Sequence, residues 1–201
     1  LLGSRGLGDV YKRQDNIFMS DSLKNKFLFY SPTEYEEKDY FANALIYVCE
    51  NNDEGSLGLI VNRSIDVQMV DNFLDVKEKK HLNQKIALGG PVESTSIFVL
   101  HTIDKINKPD VRVTNEIGFS SNKQVIENIL KGKFPDKFIV SFGYTGWGPN
   151  QLENEIAQNA WEITDAHQEI LFDTPNNLKI NKLSEVNGFD PRIINQTQGS
   201  S

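Results

Sequence analysis

The stretch Gly143–Trp161, GYTGWGPNQLENEIAQNAW, constrains the fold more than any other part of the chain. It joins a β-forming run to a capped helix through closely spaced glycines, and it holds both tryptophans. Phe138–Tyr144 is apolar and rich in β-formers, so it reads as a strand. Gly143, Gly146 and Gly148 then punctuate the chain as positive-φ turn residues can, which predicts a tight turn. Pro149 suits the first turn of a helix, where its missing N–H has no partner to lose, and Glu153 and Glu155 follow where the helix dipole favours negative charge. A helix is therefore expected from Pro149 or Asn150. Leu152, Ile156 and Ala160, with Ile163 one turn further on, form its buried stripe, and Gln151, Glu155 and Asn159 form a polar one.

The rest of the chain supplies the partners for that joint. Phe27–Tyr30 reads as a first strand, closed by the pair Ser31-Pro32, and Glu34–Asp39 as solvated loop. Phe41–Cys49 and Leu57–Asn62 are apolar runs on either side of the turn Asn51–Gly55, so they predict a hairpin of largely buried strands. Val67–Val76 has helical spacing, and Ile86–Leu88 and Ile97–Thr102 read as strands flanking Gly89-Gly90-Pro91. Val111–Ile117 alternates like a half-exposed strand. Lys123–Leu130 makes a helix with Val125, Ile126, Ile129 and Leu130 inward, stopped at Gly132. A short strand at Glu169–Asp173 and a last helix around Lys179–Asn187, followed by a glycine, complete the expectation. Strands come in clusters rather than in strict alternation with helices, which argues for α+β over a doubly wound sheet.

Leu1–Gln14, LLGSRGLGDVYKRQ, has neither an amphipathic period nor the apolar core of a signal peptide. Residues 1–18 are expected to be a non-native or disordered leader, with Met19 as the start of one domain running over 19–201. Taking away Leu1–Gln14 alone, with Arg5, Lys12 and Arg13 against Asp9, removes a net +2, so the formal charge of −7 becomes −9. About 185 residues suffice for one substantial core. That acidity argues against direct DNA binding, because phosphate contacts require a basic face; the one dense basic group is Lys77, Lys79 and Lys80. There is no apolar run of the roughly eighteen residues a membrane helix needs, and a chain without a signal peptide is assigned to the cytoplasm by default. The single Cys49 excludes an internal disulfide, and His81, His101 and His167 are too scattered to suggest a metal cluster. His167, near Asp165 and Glu169, reads as an exposed helix-end histidine.

Taken in order, Ser31-Pro32, Phe41 followed by ALIYVCEN, SLGLIVNR at 56–63, GGPV at 89–92, VLHT at 99–102, and GYTGW with QLENEIAQNAW form a pattern that resembles the YqgE/AlgH family of small bacterial proteins, from about Lys26 to Gln198. The resemblance implies an α+β fold in which a partly closed, bifurcated β-sheet is wrapped by helices. It also carries the label of transcriptional regulator, which some members bear. No helix-turn-helix pattern with a basic second helix accompanies that label here. The segment TEYEEKDY after Pro32 is more acidic than the family's short turn, and the ending Gly199-Ser200-Ser201 replaces its usual glycine, histidine and alanine, both at the periphery.

Residue chemistry names few sites. Gly89 and Gly90 could offer backbone N–H groups to an anion or could simply form a bend, and they lack the lysine of a phosphate loop. Ser31, His101 and Asp39 or Asp104 do not form a G-x-S-x-G hydrolase pattern, and Cys49 ends an apolar run as a small core residue would. No catalytic residue, metal or cofactor is therefore assigned. Trp147 with Gln151, Glu155 and Asn159 could line one groove with an aromatic plane, a carboxylate and two amides, or could brace neighbouring loops, with Trp161 in the core. The expectation is a binding or regulatory protein acting on an unknown protein or small molecule, with an enzyme near Trp147 or an assembly adaptor as the other readings.

Overall fold

The chain is described by a computed structural model covering residues 23–30, 40–65, 86–105, 108–131, 133, 135–188 and 190. Nine strands form one sheet: β1 (Lys26–Phe29), β2 (Leu45–Asn52), β3 (Gly55–Ile60), β4 (Ile86–Leu88), β5 (Val92–Thr102), β6 (Val111–Arg112), β7 (Ile117–Ser120), β8 (Phe138–Trp147) and β9 (Glu162–Asp165). Their order is β6-β7-β5-β8-β3-β2-β1-β9, with β4 beside β8, so the sheet does not close into a barrel. All pairings are antiparallel except that of β4 with β8. The helices are α1 (Lys123–Leu130), α2 (Gln151–Ala157), α3 (Gln168–Phe172) and α4 (Lys179–Asn187). The fold is a single-domain α+β arrangement.

The sheet forks at β8. One flank of β8 pairs with β5, while the other splits: residues 140–142 pair with β4 and residues 145–147 with β3. Gly143 stands at the split with φ +69, where a Cβ would lie 2.4 Å from the Gly90 carbonyl oxygen, so a side chain meets both strain and backbone. Gly89 closes the fork: its N–H donates to the Phe142 carbonyl at 2.9 Å, and its own carbonyl accepts from the Ile60 N–H at 2.8 Å and the Thr145 hydroxyl at 3.2 Å.

Strand alternation explains the layers. Leu45, Tyr47 and Cys49 face one cluster, covered by Ile170, Leu171 and Leu183 of α3 and α4; Ile46 and Val48 face the other, covered by Leu152 and Ile156 of α2. Over Leu45–Cys49 β2 is buried on both sides, which is why that part of its sequence is an unbroken apolar run. Val125 of α1 covers a third cluster over β4, β5 and β8.

Several expectations need correction. The strand beginning at Phe138 does not turn at Gly146 but continues to Trp147, because residues 145–147 find a second partner in β3. Val111–Ile117 is two strands rather than one: the Thr114 hydroxyl accepts the N–H groups of Glu116 and Ile117 and folds the segment into a turn. Glu169–Phe172 is helical, with Asp173 as the C-cap: adjacent Ile170 and Leu171 pack on the same cluster, as one helix face allows and strand alternation does not. Ile163 is not in a buried stripe; it lies on β9 and is 37% exposed. The first run becomes a strand only from Leu45 and extends to Asn52, and β5 begins at Val92. The expected helix Val67–Val76, Lys77, Lys79 and Lys80, Ser31, Asp39 and Gly132 lie outside the described residues.

Candidate functional site

The end of β8 and the start of α2 bring together three of the four residues singled out above. Trp147 and Trp161 pack edge to face, ring centroids 5.9 Å apart, and both indole N–H groups donate to the same oxygen, Glu155 Oε2, at 2.9 and 2.7 Å. Gln151, one turn earlier on α2, donates to Glu155 Oε1 at 2.9 Å, and its own carbonyl oxygen accepts the Gly148 N–H at 3.0 Å. The half-buried carboxylate is thus held by three donors from a strand end, a helix and the segment beyond the helix. Two buried indoles each need an acceptor, and one anion serves both.

Asn159 stands apart. It follows the helix with φ +58, its N–H donates to the Ile156 carbonyl, and the next N–H, of Ala160, reaches back to Glu155. That pair of bonds is a Schellman ending with asparagine in the left-handed position glycine usually takes. Gly89 and Gly90 are also distant in role. Both are buried, the Gly89 N–H is occupied by Phe142, and a Cβ on Gly90 would lie 2.1 Å from the Tyr144 carbonyl oxygen.

Asn51 is a junction that sequence reasoning missed. Its amide donates to Glu153 Oε1 at 2.8 Å and to the Ser56 hydroxyl at 2.9 Å, and its carbonyl oxygen accepts the Leu23 N–H. It ties the β2–β3 hairpin to α2. Its only sequence signal was an asparagine beside a turn.

His101 is fully buried between the Thr102 carbonyl and the Ser120 hydroxyl, each 2.9 Å away. A carbonyl only accepts, so Nδ1 carries the proton and Nε2 accepts from Ser120. Burial lowers the His101 pKa, against the Thr102 bond and Asp104 and Asp110, which raise it. Cys49 is fully buried, its thiol pushed far up by burial, so it is not a thiolate nucleophile. His167 is the half-buried N-cap residue of α3. Among the described residues no three histidine, cysteine or acidic side chains converge as metal ligands, and no helix is long and apolar enough to cross a membrane.

A concavity lies on the other face of the same sheet end. In cross-strand register Glu50 pairs with Leu57 and Leu57 with Gly146, while Tyr144 pairs with Val92. Leu57 and Tyr144 pack on the cluster opposite to α2. With no side chain at Gly146, the row dips into an open groove of about 510 Å³, lined also by Glu54 and Trp147. A second hollow, of about 400 Å³, lies between Asn25, Thr114–Ile117, Ala166 and Gln168.

A family model described as AlgH-like matches residues 27–192. The chain belongs to the AlgH-like family. A UPF0301 protein of Marinomonas sp. is 35% identical over 174 residues, covering 85% of this chain and 92% of its own, and one of Dechloromonas aromatica is 37% identical over 165 residues, covering 80% and 86%. The solution structure of the AlgH protein from Pseudomonas aeruginosa superposes with a TM-score of 0.68 at 27% identity, over 92% of this chain and all of that one. A Corynebacterium diphtheriae protein of 15% identity and TM-score 0.59 shares the fold. None of these names states a reaction or a partner.

Proposed function

We propose that this AlgH-like protein acts by binding, and that its contact surface is the groove over Leu57, Tyr144 and Gly146. The observation that carries this reading is the division of labour at the end of β8. On one face the Glu155 carboxylate accepts from Trp147, Gln151 and Trp161, so it serves as a brace with both oxygens engaged. On the other face an open concavity mixes apolar and acidic side chains, the character of a binding surface. The strip Trp147–Gln151–Glu155 then contributes indirectly, by fixing the strand on which the groove is built. A role in transcriptional regulation, the label some members of the family carry, would run through a protein or small ligand, because the formal charge of −7 disfavours a phosphate backbone.

A thermal-shift screen of metabolites and short peptides, run in parallel on the wild type and on Val92→Lys, tests this. Val92 is 36% exposed, so the substitution alters the groove without touching the core. Compounds that raise the wild-type midpoint should fail to raise that of the variant. Equal stabilisation of both proteins would move the contact elsewhere.

A further inference from the structure

The groove has a length and a charge, and together they specify the kind of occupant. Its row of residues crosses β2, β3, β8 and β5, three interstrand steps of about 4.8 Å, or roughly 14 Å, the span of about four extended residues. The middle of the row is the exposed Gly146, where even a Cβ would come within 3.2 Å of the Tyr144 ring, so the trough is kept open by a missing side chain. One end carries the carboxylates of Glu50 and Glu54, neither of which forms an ion pair with a described residue. From Leu57, the cross-strand partner of Glu50, the row is apolar to its other end, where the Tyr144 ring meets Val92, presented by an irregularity in β5 at which the register jumps from Val92 to Ile97 and Glu93 takes φ +46. A left-handed glutamate is an uncommon and costly conformation, and bulges of this kind re-aim side chains.

We propose that the groove takes a short extended peptide with basic side chains at one end and apolar side chains at the other, the basic ones at Glu50 and Glu54 and the apolar ones over Leu57, Tyr144 and Val92. The proposal rests on the reading of the groove as a binding surface and adds the class of partner. Carboxylates at one end repel phosphate and so turn away nucleic acid. An apolar end, of no use to a small cation alone, rewards a peptide that carries both kinds of side chain.

Amide chemical shifts of the ¹⁵N-labelled full chain, titrated with a capped four-residue peptide of two lysines followed by two leucines, decide it. The controls are the same peptide with glutamate for lysine, the polyamine spermidine, and a capped leucine-only peptide. Shifts should concentrate at 50–57, 92 and 144–147. Affinity should be about ten-fold weaker for each control, and about ten-fold weaker for the lysine–leucine peptide with Glu50→Gln/Glu54→Gln, whose melting midpoint should stay near that of the wild type. Equal shifts from the glutamate or leucine-only peptide at these amides would overturn the basic class and leave the groove as a binding surface. Equal binding of spermidine would overturn the peptide in favour of a small cation. Silence of these amides to all four probes, while other amides respond or none do, would overturn the proposal; if the compounds found in the thermal screen also leave them silent, the groove reading falls with it.

Discussion

Glu155 is held by three hydrogen bonds whose donors behave differently when it is changed. Glu155→Ala leaves the indole N–H groups of Trp147 and Trp161, both nearly buried, without an acceptor, and should cost about 2–4 kcal/mol in denaturant unfolding. Glu155→Gln keeps one oxygen for the two indoles but sets an amide NH₂ against the Gln151 amide donor, so about 1–2 kcal/mol is expected. If the alanine variant is as stable as the wild type, the brace is not one. Three- and four-residue spacing in the sequence placed Gln151 and Glu155 on one helix face, and the two do meet there, with Glu155 also accepting from Trp147. Nothing in that spacing revealed that Trp161, beyond the helix end, shares the same carboxylate oxygen. Asn159 fitted the same periodicity, yet the helix stops at Ala157 and the residue serves its ending instead.

At the scale of elements, the fork in β8 depends on one backbone conformation, and the entry to α1 is tied down by the Asp110 and Asn122 side chains. Gly143→Ala forces a left-handed alanine against the Gly90 carbonyl and should cost about 2–4 kcal/mol. The corresponding change at Gly188, also left-handed but with open space around it, should cost only about 1 kcal/mol, separating strain from collision. Asp110 accepts the N–H groups of Ser121 and Asn122 and the Asn122 amide at the entry to α1. Although burial acts to raise its pKa, those bonds bring it below the ordinary value. The strands with strong local signals, Ile86–Leu88 and the β2–β3 hairpin among them, were legible in sequence. β9 was not, because EITD is short and half charged and its strand conformation depends on pairing with the distant β1. Helix α3 was misread for a similar reason: five residues are too few to display a period, and burial beneath the sheet decides their conformation.

For the whole molecule, buried titrating groups set how stability varies in alkali. Burial holds the Cys49 pKa above its ordinary 9.0, so the folded chain keeps a proton that the unfolded chain loses. Stability from this group is full below pH 9 and falls above it, by at most about 1.4 kcal/mol per pH unit. Lys179 acts in the opposite sense. Buried, with its ammonium donating to the Ile170 and Leu171 carbonyls, it has a pKa lowered by burial from 10.5 to about 8, so the unfolded chain holds the extra proton and stability rises between about pH 8 and 10.5. The two oppose each other above pH 9. Cys49→Ala should therefore remove a downward contribution and leave stability climbing through pH 9–10 more steeply than in the wild type; identical pH profiles would contradict the assignment.

The sheet's fork, its two covered faces and the groove at one end are properties of the whole arrangement, and the claim that matters most is that the groove is where this protein makes its contact. Amide chemical-shift mapping with whichever compound stabilises the wild type tests that most directly. The account predicts perturbations at residues 50–57, 92 and 144–147. Perturbations at Gln151 and Asn159 on the opposite face, or at Gly89 and Gly90, with the groove silent, would contradict it.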